Sequence, residues 1–267
     1  MQLRLENKTV LVTGASKGIG RALAIGCAKE GADVIVNYHG DLKGAEETAA
    51  VIRELGRKSV IIQADVSKRD AITALFATAR ESFERLDCLI NNAGITGWSD
   101  LFSTTEDKWD LVLDTNLKGT FFCSQEAAAW MKETGVRGTI VNVSTNCAAL
   151  GVKNLVSYAT SKAGLHGLTR QLAIELAPFG IRVNTFAPGP INVERNLRDD
   201  PDYETQWGSV IPLGRTGEAE EMIGPAVFFA SNESSYITGQ VLYADGGWSV
   251  QGKIPESNLA KAAGKHL

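Results

Sequence analysis

Tyr158 and Lys162 stand four residues apart in the run Ser157-Tyr158-Ala159-Thr160-Ser161-Lys162. The apolar positions that follow, Ala163, Leu165, Leu168, Leu172, Ile174 and Leu176, recur at helical spacing and stop at Pro178 and Gly180. On a helix, side chains four apart lie one above the other, so a phenol and an ammonium can address one spot. That pairing bears on proton transfer. A free phenol, with a pKa of about 10, is a weak acid and a weak base at neutral pH, and a nearby cation favours its phenolate. Lowering it by roughly three units takes about 4 kcal/mol, more than one lysine supplies, so a second positive charge is expected beside it. The same spacing also describes an ordinary solvated helix face, and the elements around the pair decide between the two.

Thr9-Val10-Leu11-Val12 reads as a buried parallel strand, followed by the turn Thr13-Gly14-Ala15-Ser16-Lys17-Gly18-Ile19-Gly20 and then helical periodicity through Ala22, Leu23, Ile25, Gly26 and Cys27. Gly14, Gly18 and Gly20 between a strand and a helix let backbone approach a pyrophosphate, with Ser16, Lys17 and Ile19 in the same loop. The alternative is a tight turn with no ligand. Neither G-x-G-x-x-G nor G-x-x-x-x-G-K-[ST] occurs. After a second strand, Val34-Ile35-Val36, comes Asn37-Tyr38-His39, with no acid until Asp41. An acid directly after this strand selects NAD, so Asn37 permits NADP, whose phosphate Lys17 could meet. No arginine follows Asn37, so use of both cofactors is expected, with NADP slightly favoured; Lys17 as plain surface stays open.

Ser59-Val60-Ile61-Ile62 is a third strand, and Asp65 and Val66 beyond its end could meet an adenine. Asp65 or Ser67 could equally cap a helix over Ile72 to Phe83. Leu89-Ile90 leads into Asn91-Asn92-Ala93-Gly94. Trp109, Leu111, Val112, Leu113 and Leu117 then describe a helix with Asn116 in its middle, a poor helix former that signals a kink or a buried hydrogen bond. Thr139 to Val143 is a strand ending at Ser144-Thr145, and another runs from Ile181 to Phe186. Ala187-Pro188-Gly189-Pro190-Ile191 opens a polar, irregular segment to about Pro212 that reads as a substrate loop. A last strand lies near Gln240 to Tyr243. Alternating strands and helices, seven strands in all, predict an α/β, Rossmann-type, doubly wound parallel sheet with helices on both faces. One domain is expected over residues 1–267, with the substrate loop at 188–212 and a C-terminal tail at 253–267 carrying a short helix near Leu259 to Ala263. The ligand crevice is placed at the strands' carboxyl ends, where these polar clusters fall.

Hydrophobic residues make up 44% of the 267 and charged residues 22%, enough for an ordinary packed core. A net charge of −4 and the lack of any Lys/Arg cluster argue against a nucleic-acid partner. Cys27, Cys88, Cys123 and Cys147 show no C-x-x-C spacing, and His39, His166 and His266 are equally scattered, so no metal site or disulfide framework is expected. With no signal-peptide core and no run of 18 apolar residues, the expected place is the cytoplasm, away from membranes. A hydrolase is disfavoured because G-x-S-x-G is missing and His166 has no evident partner.

Together these residues resemble the short-chain dehydrogenase/reductase family. Thr13 to Gly20 matches its T-G-x-x-x-G-x-G loop, Asn91 to Gly94 its N-N-A-G motif, and Tyr158/Lys162 its Y-x-x-x-K pair, the likeness running from about Lys8 to Trp248. The resemblance implies that Tyr158 is the general acid/base, that Lys162 binds the nicotinamide ribose and lowers the Tyr158 pKa, and that Asn116 holds a water in a proton relay. The oxidised nicotinamide would be the second positive charge. It also implies cofactor contacts at Asn92, Ala93, Gly94, Pro188, Gly189 and Ile191. A family hydroxyl that orients the carbonyl falls at Thr145, thirteen residues before Tyr158, with Ser144 one step earlier. Strand alternation lets one of the two point into the site, and Thr145 is the expected one. Where family members often carry a threonine after the Pro-Gly, Val193 stands, so that contact either comes from backbone, as at Ile191, or is lost. Val36-Asn37-Tyr38, Pro190-Ile191-Asn192, Ile211 to Gly214 and Ala244 to Gly247 are similar to glucose 1-dehydrogenase-like sugar dehydrogenases, and also to 3-oxoacyl-carrier-protein reductases. Arg170, Arg195 and Arg198 form no obvious basic patch for an acidic carrier protein, which favours a small sugar. Thr96, Trp98, Asn146, Asn154 and Glu194 are candidate substrate contacts, although Trp98 could pack under its loop and Asn154 serve a turn. A catalytically silent nucleotide-binding protein is a further alternative. The family resemblance implies a homotetramer through the helices carrying Asn116 and Tyr158, with Leu165, Leu168 and Leu172 either at that interface or in the core.

Overall fold

The computed structural model describes residues 3–252. Its strands are β1 (Thr9–Val12), β2 (Asp33–Tyr38), β3 (Ser59–Gln63), β4 (Cys88–Asn91), β5 (Thr139–Val143), β6 (Arg182–Pro188), β7 (Ile191–Asn192), β8 (Gly217–Glu218) and β9 (Val241–Ala244). The α-helices are α1 (Gly18–Lys29), α2 (Leu42–Glu54), α3 (Arg69–Ser82), α4 (Glu106–Leu113), α5 (Gly119–Glu133), α6 (Val156–Leu176), α7 (Glu194–Asp199), α8 (Tyr203–Gly208) and α9 (Ile223–Ala230). Seven strands form one sheet in the order β3-β2-β1-β4-β5-β6-β9, every neighbouring pair parallel. The strand order turns back at β1, which lies between β2 and β4, and a crevice opens there at the carboxyl ends.

Side chains alternate across each strand and so feed two cores. Val10, Val12, Val34, Val36 and Ile90 pack with Leu23, Ile52, Ala226 and Phe229 on one face. Leu11, Ile35, Leu89, Ile140 and Val183 pack with Leu75, Phe76, Trp130 and Ala173 on the other. Polar groups within this core are paired in a chain. Asn91 Nδ2 donates to Asn142 Oδ1 (2.9 Å) and Ser124 Oγ (3.0 Å), Asn142 Nδ2 donates to Thr169 Oγ1 (2.9 Å), and the Thr169 and Thr185 hydroxyls lie 2.6 Å apart.

Three elements differ from the sequence reading. The expected helix around Asn116 is α4 running into a π-helical turn, Asp114–Lys118, and on into α5. The segment 188–212 is not irregular: it holds β7, α7 and α8, and β7 pairs with β8 in a small parallel sheet of its own. α9 fills what the sequence left without an element. Its apolar run Ile223-Gly224-Pro225-Ala226-Val227-Phe228-Phe229-Ala230 shows no amphipathic period, because most of it is covered, and Pro225 sits in the first turn where no intrahelical N–H is needed. Leu165 is buried, and Leu172 packs against the second core, so these residues serve the interior. The tail at 253–267 and its expected helix lie outside the described residues. Among the described residues no helix is long and apolar enough to cross a membrane.

Candidate active site

The glycine turn after β1 is held open by its neighbours. Thr13 Oγ1 accepts from the backbone N–H groups of Asn92 and Ala93, both at 3.0 Å, and Asn92 Nδ2 donates to the carbonyls of Thr13 (3.0 Å) and Gly14 (3.1 Å). Gly14 adopts φ +63°, and a Cβ there would stand 3.0 Å from Ala93 Cα. At Gly20 a Cβ would collide with the Gly14 carbonyl and the Asn92 amide. The polar segment at the end of β4 thus fits against the one at the end of β1 because Gly14 and Gly20 carry no side chain. α1 begins with Lys17 as N-cap, with no side-chain cap and no acid in its first turn, so its amino-terminal N–H groups and positive dipole end face the crevice.

That crevice has a volume of about 740 Å³. It runs from the glycine loop (Gly14, Ser16, Lys17, Gly18, Ile19, Gly20) past Asp65, Val66, Asn92, Ala93 and Gly94 to Tyr158 and Lys162. Glycines in its floor, helix N–H groups at its edge and this volume fit a dinucleotide. Asp65 accepts from Ser67 N–H (2.9 Å) rather than capping α3, whose N-cap is Lys68. Burial acts to raise the Asp65 carboxyl, but the Ser67 bonds, together with the nearby His39 and Lys68, outweigh it and hold the group below the usual range.

Asn37 reaches the crevice wall but is not free to select a cofactor. It is buried, its Oδ1 accepts from Gly14 N–H (3.1 Å), and its Nδ2 lies against the carbonyls of Tyr38, Ile62 and Ala64 at 3.2–3.3 Å. Its amide bolts β2 and β3 to the glycine loop, so its side chain cannot also meet a ribose or phosphate. His39, Gly40 and Asp41, one step further on, line the crevice instead, together with Lys17.

α6 starts beyond Asn154, which takes φ +65° in a turn and accepts from Ser99 N–H through its carbonyl (3.1 Å). Tyr158 and Lys162 then line the same end of the crevice. Lys162 Nζ is buried and donates to the Val143 carbonyl (2.8 Å), and burial pulls its pKa down to about 8. Burial pushes the Tyr158 phenol up to about 12; Cys147 adds to the rise, while the nearby Thr145 hydroxyl and the Arg195 guanidinium oppose it. Lys162 is not among the charges that bear on the phenol here, which are Cys147 and Arg195. Lys162 is spent on a strand carbonyl, and desolvation dominates at Tyr158.

Asn116 is fully buried in the π turn. Its Oδ1 accepts from Ile95 N–H (2.9 Å), and its Nδ2 donates to the Ile95 carbonyl (2.9 Å) and Ser161 Oγ (3.1 Å). The widened turn lets an amide inside a helix clasp the loop after β4, so the side chain positions that loop and does not line the crevice. Ser144 turns away from the site: its Oγ donates to the Lys162 carbonyl (3.3 Å) and lies 2.9 Å from His166 Nε2. His166, expected to have no partner, thus has Ser144, and burial, with Arg170 and Lys162, lowers its pKa. Thr145, on the opposite side of the strand end, faces Tyr158, accepts from Cys147 N–H (3.3 Å) and donates to Asn146 Oδ1 (3.4 Å).

Of the expected substrate contacts, Thr96 and Glu194 line the crevice. Trp98 is exposed outside it, Asn154 serves its turn, and Asn146 is buried with Nδ2 directed at Asp245 Oδ2 (3.5 Å). Pro188, Gly189 and Ile191 also lie off the crevice. Gly189 N–H bonds the Ala244 carbonyl, and a Cβ on it would press on Asp245 at 2.8 Å. Ile191 is buried, its carbonyl taken by Asn196 Nδ2 (3.0 Å), and it faces a second cavity of about 430 Å³. Val193 occupies the crevice wall instead, its Cγ1 3.4 Å from where a Cβ on Gly18 would stand. Sequence reasoning missed Ile95, Leu111, Thr115 and Arg195 as lining residues. Arg195 Nη2 donates to Thr96 Oγ1 (3.2 Å), a pairing across 99 positions that no local pattern announces.

Residues 14–249 match a family model described as enoyl-(acyl carrier protein) reductase. Glucose 1-dehydrogenase 2 of Bacillus subtilis is 39% identical over 92% of this chain and 96% of its own. A 3-oxoacyl-[acyl-carrier-protein] reductase of Staphylococcus epidermidis is 41% identical over 90% of this chain and 98% of its own. The crystal structure of a dehydrogenase from Agrobacterium tumefaciens with bound NADP, 35% identical, superimposes with a TM-score of 0.83 over 94% of this chain and 99% of the other. The chain belongs to the short-chain dehydrogenase/reductase family and is an NAD(P)-dependent oxidoreductase acting on CH–OH groups.

Proposed function

We propose that the protein interconverts a hydroxyl and a carbonyl on a sugar or polyol, using NADP or NAD. The observation that carries the reading is the meeting of Tyr158, the Thr145 hydroxyl and the glycine-loop crevice at one place. The bound nicotinamide supplies a hydride acceptor or donor. The chain's own residues do the rest. The glycine loop and the start of α1 hold phosphate oxygens, Asp65 and Val66 stand at the adenine end, and Asn92 to Gly94 form the crevice wall. Tyr158 takes the hydroxyl proton as phenolate in oxidation, or gives it as phenol in reduction, while Thr145 orients the oxygen by hydrogen bonding. Lys162 is held on the Val143 carbonyl within reach of the same end of the crevice, where it meets a ribose. Asn116 fixes the Ile95 loop that closes this end.

The missing acid directly after β2, with Lys17 in the loop, supports NADP over NAD. The likeness to a glucose dehydrogenase supports a sugar, and the equal likeness to a 3-oxoacyl-carrier-protein reductase supports ketone reduction as the second reading. A cytoplasmic homotetramer fits both readings, with exposed Phe121 and Ile174 on α5 and α6 available to partner copies. Titration of both dinucleotides against the purified protein, followed by NAD(P)H production across aldoses, polyols and 3-oxoacyl thioesters, tests the assignment. Binding of a dinucleotide with no turnover of any of them would instead support a silent binding protein.

A further inference from the structure

Three lysines and arginines line the crevice: Lys17, Lys162 and Arg195. Lys17 belongs to the glycine loop, and Lys162 is buried against a strand carbonyl. Arg195 alone of the three stands at the substrate end with its charge exposed. It comes from α7 on one wall and bonds Thr96 on the other through Nη2 (3.2 Å), with a second contact from Nη2 to Asn196 Oδ1 (3.4 Å). Nε and Nη1 donate to nothing among the described residues, and no carboxylate lies within ion-pair distance of the guanidinium there. Glu194, the next residue, also lines the crevice, but neighbouring helical side chains project about 100° apart, and the two form no pair. Burial raises the phenols of Tyr158 and Tyr203, and Arg195 acts against that rise at both, so its charge is felt at the reacting end. The free Nε and Nη1 donors can each make a charge-assisted hydrogen bond to an oxygen of a carboxylate or a phosphate, a stronger match than the hydroxyls of a neutral sugar offer, and a bidentate grip would draw on Nη2 in place of its long Asn196 contact.

Resting on the role given above to Tyr158, we propose that Arg195 binds an oxyanion, a carboxylate or a phosphate monoester, carried by the same molecule as the reacting carbinol. The oxyanion passes through the reaction unchanged. The carbinol C–H leaves as hydride to the oxidised nicotinamide, the O–H proton goes to Tyr158, and C–OH becomes C=O.

The full-length protein, saturated with whichever dinucleotide binds more tightly, is assayed with sorbitol and glucose as neutral probes. Gluconate and glucose 6-phosphate serve as their carboxylate and phosphate counterparts, and the comparison between these two identifies which oxyanion is taken. At least one anionic probe is expected to exceed its neutral counterpart in kcat/KM. In Arg195→Gln the loss on that probe should exceed the loss on the neutral one by about 10- to 100-fold, mainly through KM, with Arg195→Lys recovering part of it. In the wild-type protein, added salt should raise KM for the anionic probe more than for the neutral one, a readout that does not depend on any variant folding. Turnover of neutral probes alone, equal losses on both kinds, or a weakened dinucleotide Kd in Arg195→Gln with an unchanged anionic preference would overturn the proposal and leave the oxidoreductase reading intact. No turnover of any probe, with dinucleotide bound, would sink the proposal together with the sugar reading on which its substrates were chosen.

Discussion

Replacing Lys162 with methionine should stabilise the folded protein at neutral pH while abolishing turnover. The ammonium is buried, donates to one carbonyl, and has its pKa drawn from 10.5 to about 8 by desolvation. At about 1.4 kcal/mol per pH unit, that displacement is a destabilisation of about 3 kcal/mol below pH 8, where folded and unfolded chains both carry the proton. Between pH 8 and 10.5 the unfolded chain still holds the proton and the folded chain does not, so the penalty fades as pH rises, to about 1 kcal/mol at pH 10. Methionine removes the penalty at all pH values but forfeits the bond to Val143, about 1 kcal/mol. The variant should therefore be more stable by about 2 kcal/mol at pH 7 and nearly equal to wild type at pH 10. Denaturant midpoints of both proteins at the two pH values, without dinucleotide, measure this. The change with pH is the decisive quantity, because the lost hydrogen bond and the titration of Tyr158 are common to both conditions or both proteins. An advantage of the same size at pH 7 and pH 10 would refute the claim that the site holds a desolvated charge.

Tyr158→Phe should lower turnover by about 10²- to 10⁴-fold in steady-state assays while leaving dinucleotide affinity within a few-fold, since only the proton carrier is removed. Thr145→Ser should keep most of the activity and Thr145→Val lose most of it, whereas Ser144→Ala should act on the melting temperature more than on kcat; the reverse order would exchange their roles. Asn37→Asp exchanges two donated N–H groups for a carboxylate facing carbonyls, so it should cost about 2 to 4 kcal/mol of stability by denaturation rather than simply switch cofactor preference.

The sheet, the glycine loop and the Tyr158/Lys162 pair could be read from the sequence because each depends on local spacing: strands end in small polar residues, and α6 is long enough to show its period. Orientation at strand ends was harder. Alternation says that Ser144 and Thr145 face opposite ways, and the family spacing chose between them, but nothing comparable was available for Asn37, whose amide is claimed by β3 and the loop from across the sheet. α7 and α8, at six residues each, are too short for a period to emerge from a polar background. Asn146, Gly189 and Ile191 lie near the site in sequence yet pack towards Asp245 and the second cavity, a direction set by the β6–β9 edge.

The hydrogen-bonded chain through Ser124, Asn91, Asn142, Thr169 and Thr185 also acts as an alignment key. Asn91 and Asn142 are direct partners in the β4–β5 ladder. Sliding one strand by a single residue would turn its amide to the opposite face and strand its neighbours among hydrocarbon, at about 1 to 3 kcal/mol for each orphaned group. Only one offset satisfies them all, and that offset sets Asn92, which braces the glycine loop, opposite Val143, whose carbonyl holds Lys162. Accuracy at the reacting end is thus set well below it, by uncharged groups that no substrate ever meets.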